Sequence, residues 1–413
     1  MSCFIVKGGN PLWGEVVVPP AKNAVLPLLA ASVAIPYPIT LIDLPALSDV
    51  EGMLDILEGL GVKIVRRGRA VTLDSSGELL DQIPSNDRLR ASLFLLGPML
   101  ARLGRARLGY PGGCVIGSRP INIHLAGLRA LGVEVVETQE GVECRVEGEV
   151  KGAYRLPYPS VGATVNLTCL AIRASAPVIL SGVALEPEVQ DLVHFLRLAG
   201  VHITQVGDTI AVYGTPSRGL TYRPVSDRIW AGTLLGAVAV AGGEVTLRGI
   251  DGRLLPEWVG KIDNNCCQIV CGCDTIRVSA WGKHPARHFV TAPYPGFATD
   301  LQAMAVVYNA TSLGVGLVKE TVFEGRFRLL AELGKMGAHY KLLGRTAILT
   351  GGGLHGAQVV SCDLRAGAAL VVAGLAASGE TVVADAHLVD RGYERLEEVL
   401  AQLGADVKRT DER

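Results

Sequence analysis

The stretch Leu60-Gly61-Val62-Lys63-Ile64 decides how the chain is organised, because the same short pattern returns four more times. In each copy an apolar, helix-like segment ends at a glycine, and alternating residues follow it. A glycine at this place is typical of the residue that closes a helix, and the alternation is typical of a strand. The further copies are Leu131-Gly132-Val133-Glu134-Val135, Ala199-Gly200-Val201-His202-Ile203, Met336-Gly337-Ala338-His339-Tyr340 and Leu403-Gly404-Ala405-Asp406-Val407.

The spacing of the copies predicts six repeats. The glycines lie about 68 residues apart, except for one gap of twice that length between Gly200 and Gly337. A degraded sixth copy is therefore expected at Asn264-Asn265-Cys266-Cys267-Gln268-Ile269. A period of this length is too long for a single supersecondary unit, so each repeat should hold about two strands and two helices.

Each repeat also contains a helix that is apolar on all sides. Such helices are expected to be buried, with the sheets outside them. The sequence therefore predicts an α/β fold of six pseudo-repeats, arranged as a two-domain inside-out α/β barrel. The predicted buried helices cover residues 23–34, 91–103, 163–175, 229–241, 301–310 and 366–378.

The domain boundaries follow from the repeats. Residues 21–224 should form the first three-repeat domain, and residues 1–20 with 225–413 the second, with the break near Pro224-Val225. The N-terminal strand, Phe4 to Val6 with Val16 to Val18, has no preceding helix and is expected to complete the sheet of the last repeat.

The composition excludes several classes of protein. The 413 residues are 49% hydrophobic and 19% charged, which is typical of a well-buried globular protein and excludes a disordered one. A net charge of −1 gives no reason to expect nucleic acid or a membrane surface as a partner. No basic and apolar leader or membrane-spanning run is seen, and nine cysteines suit a reducing cytoplasm. We expect a cytoplasmic protein.

Polar and cationic residues stand at the starts of the six apolar helices. Helix N-termini carry free N–H groups and partial positive charge, so several of them together predict an anion-binding cleft. For any one of these residues alone, an ordinary cap is the better interpretation. The residues are Lys22, Asn23, Arg90, Ser160 to Gly162, Arg228, Asp300 and Arg365, and Arg326 and Arg391 lie on loops.

Two groups of cysteines have different interpretations. Cys114 lies in the glycine-rich stretch Pro111-Gly112-Gly113-Cys114 with Arg119 nearby, which indicates either a low-pKa reactive thiol or a residue that simply packs. The cluster from Cys266 to Cys273 lacks the spacing of a zinc site, so we interpret it as buried or incidental thiols and expect no metal.

These pieces together resemble the enolpyruvyl transferase family from one end of the chain to the other. The resemblance is carried by Ala21-Lys22-Asn23-Ala24, Arg90-Ala91-Ser92, the Cys114 loop with Arg119-Pro120, Ser160-Val161-Gly162-Ala163-Thr164, Glu186-Pro187-Glu188, Ser226-Asp227-Arg228-Ile229, Thr299-Asp300-Leu301-Gln302, Asp363-Leu364-Arg365 and Asp390-Arg391-Gly392-Tyr393-Glu394. It implies two domains with ligands in the cleft between them. It also implies transfer of the enolpyruvyl group of phosphoenolpyruvate to the 3′-hydroxyl of UDP-N-acetylglucosamine, with release of phosphate and without a metal or organic cofactor.

The resemblance further implies roles for single residues. Cys114 would be the general acid and Asp300 the acceptor of the hydroxyl proton. Lys22, Arg119 and Arg391 would hold the phosphate, with Arg326 and Arg365 near the carboxylate, while Asn23 and Arg90 would contact the reacting groups and the sugar nucleotide. The implied nucleotide contacts are Arg119, Pro120, Ile121, Asn122, Ile123, Ser160, Val161, Gly162 and Val322.

Three positions depart from the family pattern, and two other functions stay open. Tyr158 stands where a lysine is common, Asn122 where aspartate is common, and Gly325 where asparagine is common. One alternative is the sister transferase that acts on shikimate 3-phosphate, which lacks the cysteine loop. The other is a weakly active or regulatory relative that binds a nucleotide sugar.

Overall fold

The computed structural model describes residues 2–84, 90–109 and 121–411, with Arg90 and Asp411 described by their backbone alone. Within these ranges, residues 20–225 form one compact unit, the first unit, and residues 2–19 with 226–411 form the second unit. Each unit has its own hydrophobic core. None of the helices in the described ranges combines the length and the apolar character that crossing a bilayer requires.

The chain begins with two strands that belong to the second unit, β1 (Ser2–Lys7) and β2 (Leu12–Val17). The strands of the first unit are β3 (Ile39–Leu41), β4 (Lys63–Arg67), β5 (Ala70–Asp74), β6 (Gln82–Ile83), β7 (Arg105–Gly109), β8 (Val133–Glu137), β9 (Gly141–Val146), β10 (Ala153–Arg155), β11 (Val178–Ser181), β12 (His202–Val206), β13 (Thr209–Tyr213) and β14 (Leu220–Tyr222). Its helices are α1 (Lys22–Ser32), α2 (Ser48–Gly59), α3 (Leu96–Leu103), α4 (Asn122–Ala130), α5 (Val161–Ala171) and α6 (Pro187–Leu198), and a 3-10 helix at Arg90–Leu95 leads into α3.

The second unit repeats the same kind of element order. Its further strands are β15 (Gly243–Arg248), β16 (Cys267–Cys271), β17 (Thr275–Ala280), β18 (His288–Val290), β19 (Val315–Lys319), β20 (His339–Leu343), β21 (Thr346–Thr350), β22 (Gln358–Val360), β23 (Glu380–Ala384) and β24 (Asp406–Asp411). Its helices are α7 (Arg228–Ala241), α8 (Pro256–Ile262), α9 (Gln302–Thr311), α10 (Leu329–Lys335), α11 (Leu364–Ala376) and α12 (Leu396–Gln402), with 3-10 helices at Gly252–Leu254, Thr299–Leu301 and Ala386–Arg391.

The described strands form six four-stranded sheets, three in each unit, which confirms the prediction of six repeats. Each sheet has one parallel and two antiparallel pairs of neighbours. The strand orders are β14-β3-β5-β4, β6-β7-β9-β8 and β10-β11-β13-β12 in the first unit, and β16-β17-β15-β2, β18-β19-β21-β20 and β22-β23-β1-β24 in the second.

Burial of the apolar helices follows from their composition. Twelve of the 14 residues of α7 are buried, and the interior of α11 is buried along its length. A helix without a polar face can only be stable when neighbouring elements cover it on every side. The prediction of buried helices covered by sheets is therefore confirmed. The glycines that close the preceding helices, from Gly61 to Gly404, have φ values between 86° and 101°, a conformation that other residues rarely adopt.

The prediction for the N-terminal strands is right for β1 and wrong for β2. Strand β1 pairs with β23 and β24 in the sheet of the last repeat. Strand β2 instead pairs in parallel with β15 of the fourth repeat. The reason is that the strand preceding α7, β14, pairs with β3 of the first repeat, so the edge of β15 is left for β2.

Candidate active site

Several predicted site residues fall outside the described residues. Cys114, Arg119 and Pro120 lie outside these ranges, and the side chain of Arg90 does so as well. The other predicted residues divide between the units. The first unit contributes Lys22, Asn23, Ile121 to Ile123 and Ser160 to Gly162, and the second contributes Asp300, Val322, Arg326, Arg365 and Arg391.

In the first unit, Lys22 forms a buried ion pair. It is the first residue of α1, where a positive charge meets the unfavourable end of the helix dipole. Its Nζ lies 3.1 Å from Oδ2 of Asp49, and both side chains are less than a tenth exposed. Asp49 lies in the first turn of α2, where a carboxylate is favoured. The carboxylate therefore supplies the charge that allows a buried ammonium group at this helix start.

The starts of α4 and α5 approach each other closely. Ser160 caps α5, its Oγ accepting a hydrogen bond from the N–H of Ala163 at 3.3 Å. Gly162, in the first turn of α5, lies against the ring of His124 in the first turn of α4, so closely that a Cβ atom would stand 2.8 Å from Cε1. Only glycine permits this approach. The free N–H groups of two helix starts are thereby brought together, an arrangement that favours anions.

A buried amide fixes the ring of His124. The Oδ1 of Asn166 accepts from the N–H of Gly97 at 2.8 Å, which defines the orientation of the amide. Its Nδ2 donates to the carbonyl of Leu93 and to Nδ1 of His124, both at 2.9 Å. Because Nδ1 is the acceptor, the proton of a neutral His124 lies on Nε2, the ring atom on the side of Gly162.

The two departures in this unit are both exposed. Tyr158 precedes the cap of α5, and its side chain is 41% exposed. Asn122 is the first residue of α4 and is exposed as well. Neither residue is required for the core, so the substitutions affect this surface without disturbing the fold.

In the second unit, Asp300 is held between two arginines. Its Oδ1 accepts from Nη2 of Arg326 at 2.7 Å, and its Oδ2 accepts from Nη2 of Arg365 at 3.0 Å. Both guanidinium groups are buried, and Arg326 also donates to the carbonyl of Thr299 at 2.9 Å. Two cations around one carboxylate leave a net positive charge. A carboxylate held in this way is also a group that can accept a proton.

One terminal nitrogen of the Arg365 guanidinium, Nη1, keeps both of its N–H donors unused at hydrogen-bond geometry within the described ranges. Burial alone would lower the pKa of Arg365, but Tyr393, Asp300 and Asp227 outweigh it and leave the pKa raised, so the charge is retained. Its buried Nη1 has no hydrogen-bond partner among the described residues. An unsatisfied charged donor is costly, which marks the place for an anion.

The ring of Tyr393 contacts Arg365, and its hydroxyl binds a residue of α7. The guanidinium carbon of Arg365 lies 5.3 Å from the centroid of the Tyr393 ring. The phenol is bonded at 2.8 Å to Oγ1 of Thr233, whose own proton goes to the carbonyl of Ile229, so Tyr393 is the donor. Arg391 precedes Tyr393 by two residues, and Gly392 between them passes beside Nη1 of Arg365. Arg391 is the last residue of the 3-10 helix Ala386–Arg391 and does not lie on a loop as expected. It is close in sequence to the cluster through Gly392 and Tyr393.

Glu320 organises the segment that carries Val322. This fully buried carboxylate accepts from the N–H groups of Val322 and Phe323 at 2.7 and 3.0 Å. It also accepts from the hydroxyls of Thr291 and Thr299 at 2.9 and 2.8 Å. The carboxylate thus connects the Val322 segment to the 3-10 helix that contains Asp300.

Asp227 caps the N-terminus of α7 in the second unit. Its Oδ1 accepts from the N–H groups of Ile229 and Trp230 at 2.8 and 2.9 Å. Arg228 is buried beside it, 5.5 Å from the ring centroid of Tyr294. Asp227 is therefore a cap that also lies close enough to Arg365 to raise the pKa of that residue.

Sequence reasoning missed the residues that hold the predicted ones in place. Asp49, Asn166, Glu320 and Tyr393 were not selected. Asp49 had a signal, since an acidic residue opens α2 as a cation opens α1. Tyr393 lies within a matching motif, whereas no pattern marks Glu320 or Asn166.

The cysteine cluster occupies the hairpin of β16 and β17. Cys267 is buried, and burial, with Asp263 and Cys266 adding to it, raises the pKa of its thiol to about 12. Cys271 and Cys273 are exposed, and Cys266 is half-buried. The thiols therefore differ widely in accessibility.

Comparison with known proteins identifies the family of this chain. Residues 6–400 match the sequence profile of the family EPSP synthase (3-phosphoshikimate 1-carboxyvinyltransferase). A UDP-N-acetylglucosamine 1-carboxyvinyltransferase from Photobacterium profundum is 40% identical over 420 residues, covering 100% of both chains. One from Halothermothrix orenii is 41% identical over 416 residues, covering 99% of this chain and 100% of the relative.

Solved structures show the same fold at lower identity. The enolpyruvyl transferase NikO from Streptomyces tendae has a TM-score of 0.89 at 23% identity, covering 100% of this chain and 99% of that one. EPSP synthase from Acinetobacter baumannii has a TM-score of 0.73 at 16% identity, covering 99% of this chain and 100% of that one. The matches over the full chain confirm the resemblance seen in the sequence: this chain belongs to the EPSP synthase family of enolpyruvyl transferases.

Proposed function

We propose that this protein transfers the enolpyruvyl group of phosphoenolpyruvate to the 3′-hydroxyl of UDP-N-acetylglucosamine, releasing phosphate. The observation that carries the proposal is the identity of about 40% over the whole chain with relatives named UDP-N-acetylglucosamine 1-carboxyvinyltransferase. The reaction would be a step of peptidoglycan precursor synthesis in the cytoplasm. Its partners would be the two small substrates, with no nucleic acid, membrane or cofactor.

The charges of the second unit suit phosphoenolpyruvate. This substrate carries a carboxylate and a phosphate, and arginine binds both groups with paired N–H donors. The unused Nη1 of Arg365 would satisfy one carboxylate oxygen, with Arg326 beside it. We assign the phosphate to Arg391, Lys22 and Arg119.

The starts of α4 and α5 suit the diphosphate of the nucleotide sugar. Ile121 to Ile123, Val161 and Gly162 present backbone N–H groups there, whereas the N–H of Ser160 donates to the carbonyl of Tyr158 at 2.7 Å. Such N–H groups at helix starts bind anions without a lysine side chain. Ser160 would hold the cap of α5 in place within the same site. Such a site could retain affinity although Tyr158 replaces the common lysine. Val322 would contact the nucleotide from the segment that Glu320 holds.

The chemistry needs one acid and one base. In our proposal Asp300 accepts the proton of the 3′-hydroxyl, while Arg326 and Arg365 keep its carboxylate in position. Cys114 protonates the methylene carbon of phosphoenolpyruvate as the 3′-oxygen bonds to the neighbouring carbon, and the resulting methyl group loses a proton when phosphate leaves, which restores the double bond of the enolpyruvyl group. The positive charge of the cluster would stabilise the anionic tetrahedral intermediate before phosphate leaves.

Measuring phosphate release tests the proposal directly. The purified protein is incubated with phosphoenolpyruvate and, in separate reactions, with UDP-N-acetylglucosamine or shikimate 3-phosphate. We expect phosphate only with the nucleotide sugar. Release only with shikimate 3-phosphate would instead indicate a 3-phosphoshikimate 1-carboxyvinyltransferase, the activity that the matching family profile is named after. No release with either substrate, together with retained binding of the nucleotide sugar, would favour a regulatory relative.

A chemical probe tests the role of Cys114. An epoxide that carries a phosphonate, such as fosfomycin, should dock where phosphate binds and alkylate this thiol, faster in the presence of the nucleotide sugar. Cys114→Ser should abolish the modification, and Cys114→Asp should escape it while retaining activity, because a carboxylic acid can still donate a proton. Intact mass and peptide mapping provide the measurement. Modification of Cys266 or Cys271 in place of Cys114 would refute the assignment.

A further inference from the structure

A polar pocket lies in the second unit, in a part of the chain that the proposed reaction does not use. It has a volume of about 540 Å³, and its walls include Asp263, Asn265, Cys266, Lys283, Arg287 and Leu313. These residues come from the turn before β16, the connection from β17 to β18 and the turn before β19. Leu313 follows the C-terminus of α9, whereas Asp300 precedes its N-terminus. The ten residues of α9, about 15 Å of helix, therefore separate the pocket from the proposed active site.

Arg287 is fixed in the wall of this pocket. The buried amide of Asn309 accepts from the N–H of Arg287 and donates to its carbonyl, both at 2.9 Å. The Nε of Arg287 donates to the carbonyl of Lys261, also at 2.9 Å. Its two terminal nitrogens have no acceptor among the described residues. The backbone and Nε of Arg287 are already held in place. Binding of a ligand to the two terminal nitrogens would therefore cost little further side-chain entropy.

The other charges of the pocket leave it positive. Lys283 is exposed, and the described part of the chain places no carboxylate within ion-pair distance of it. Asp263 is the acidic residue of the wall, and its Oδ1 accepts from the N–H of Ile269. Two cations therefore face one partly occupied carboxylate. Pro285 and Leu313 add apolar surface to the same walls.

A buried polar group stands behind this wall. The hydroxyl of Tyr308, on the last turn of α9, is fully buried beside Asn264, Cys266 and Cys267 and has no partner at hydrogen-bond geometry in the described ranges. Asn264 itself is engaged, donating to the carbonyl of Ile262 at 2.6 Å and accepting from the N–H of Cys266 at 2.8 Å. The hydroxyl of Tyr308 therefore lies against the Asn264 side chain, directly behind the pocket wall.

We propose that this pocket binds a small organic anion with two or more carboxylate or phosphate groups, separately from the substrates of the proposed reaction. The terminal nitrogens of Arg287 would take one anionic group as a bidentate pair. Lys283 and the side-chain amide of Asn265 would take the second group. The carbon skeleton of the anion would pack on Leu313 and Pro285.

Cys266 makes binding measurable, because its thiol lines the pocket while Cys273 does not. The rate of alkylation by iodoacetamide is followed for each cysteine by peptide mapping, with citrate or fructose 1,6-bisphosphate as probe and sodium chloride at equal ionic strength as control. At a probe concentration about ten times its Kd, alkylation of Cys266 should slow by about tenfold and that of Cys273 should not change. Slowing by citrate alone or by fructose 1,6-bisphosphate alone identifies which anionic group the pocket prefers.

Variants separate the pocket from a general charge effect. Lys283→Gln should weaken protection of Cys266 by about threefold to fivefold, and Arg287→Gln should abolish it. Lys341→Gln, at an exposed lysine of β20, is the matched control and should leave protection unchanged. Equal slowing by sodium chloride, equal slowing at Cys273, or full protection in Lys283→Gln and Arg287→Gln would each overturn the proposal.

Discussion

Glu320 shows how one buried carboxylate can set the position of a whole segment. Its Oε1 accepts three hydrogen bonds, from the N–H groups of Val322 and Phe323 and from the hydroxyl of Thr291. Its Oε2 accepts from Thr299, whose hydroxyl could equally accept a hydrogen bond. An amide can therefore replace the carboxylate if it turns its oxygen toward the three donors. A methyl group cannot.

Comparing an alanine and a glutamine substitution of Glu320 tests this difference. We expect Glu320→Ala to lower the free energy of unfolding by about 3 kcal/mol, because two partly buried backbone N–H groups and two threonine hydroxyls lose their acceptor. Glu320→Gln should lose less than about 1 kcal/mol and keep the affinity for the nucleotide sugar. Urea unfolding and calorimetric titration provide the measurements. Glu380→Gln, at an exposed carboxylate, is the control, and equal losses in both Glu320 variants would refute the role of its hydrogen bonds.

At the residue scale, sequence reasoning found the charged groups but not their partners. Asp300, Arg326 and Arg365 were each visible as polar residues at helix starts or on a loop. Their pairing was not visible, because the partners are distant in sequence. Asp300 and Arg365 are separated by 65 positions, and Thr233 and Tyr393 by 160. No local pattern contains a contact that only the packing of different repeats creates.

At the scale of elements, the contact between α4 and α5 depends on the absence of a side chain at Gly162. A Cβ atom there would lie 2.8 Å from Cε1 and 3.0 Å from Nε2 of His124. The ring is buried and bonded to Asn166, so it cannot yield without losing that bond. We expect Gly162→Ala to lower the free energy of unfolding by about 1–3 kcal/mol and to weaken nucleotide-sugar binding.

The control for this change is a glycine in open space. Gly260 lies inside α8, and a Cβ atom there would have no neighbour within 4 Å. Gly260→Ala should therefore stabilise the protein by up to about 1 kcal/mol, since alanine favours the helix. Both variants are compared by urea unfolding and by titration with the nucleotide sugar. Unchanged binding in Gly162→Ala would remove the two helix starts from the proposed nucleotide site.

Asp191 links α6 to the chain segment that precedes the second unit. Its two oxygens accept from the phenol of Tyr222 at 2.6 Å and from the N–H of Val225 at 3.1 Å. The carbonyl of Val225 in turn accepts from the N–H of Ala21 at 2.7 Å, the residue before Lys22. One carboxylate thus helps to position the start of α1.

The charge of Asp191 has a consequence for stability. Burial raises the pKa of Asp191 above its ordinary value of 3.8, although the bonds from Tyr222 and Val225 act in the opposite direction. The folded protein therefore binds this proton more tightly than the unfolded chain, and the free energy of unfolding falls as pH rises through the raised pKa. In Asp191→Asn this dependence should be absent, because the amide can accept from Val225 and donate to Tyr222 without titrating. Urea unfolding at several pH values between about 4 and 7 measures it, with the exposed Asp208→Asn as control. An Asp191→Asn profile parallel to that of the unchanged protein would contradict the expectation.

At the scale of the whole molecule, the repeats were predictable and the exchange of strands was not. The helix-closing glycines reveal the length of the repeat in the sequence, since each of these positions requires a positive φ. Strands β2 and β14 contain no residue type that identifies their partner strand. Each is a short alternating segment that would fit several sheet edges, and the choice of partner depends on which edges the other strands leave open. Topology of this kind follows from the assembled units and cannot be read from a local pattern.

The proposed function requires that groups from both units act on one nucleotide sugar, and hydrogen exchange can test this requirement. The N–H groups of Val161 and Gly162 belong to the first unit, where they open α5. Val322 and Phe323 belong to the second unit, where Glu320 binds their N–H groups. A ligand that contacts both places should slow exchange at both, because it covers the first pair and stabilises the bonds of the second.

We therefore expect UDP-N-acetylglucosamine alone to slow exchange in both segments and in residues 111–119. Strand β20, exposed along its whole length, serves as the internal control and should exchange at an unchanged rate. Slowing confined to one unit at saturating nucleotide sugar would mean that the other unit contributes no contact to this ligand.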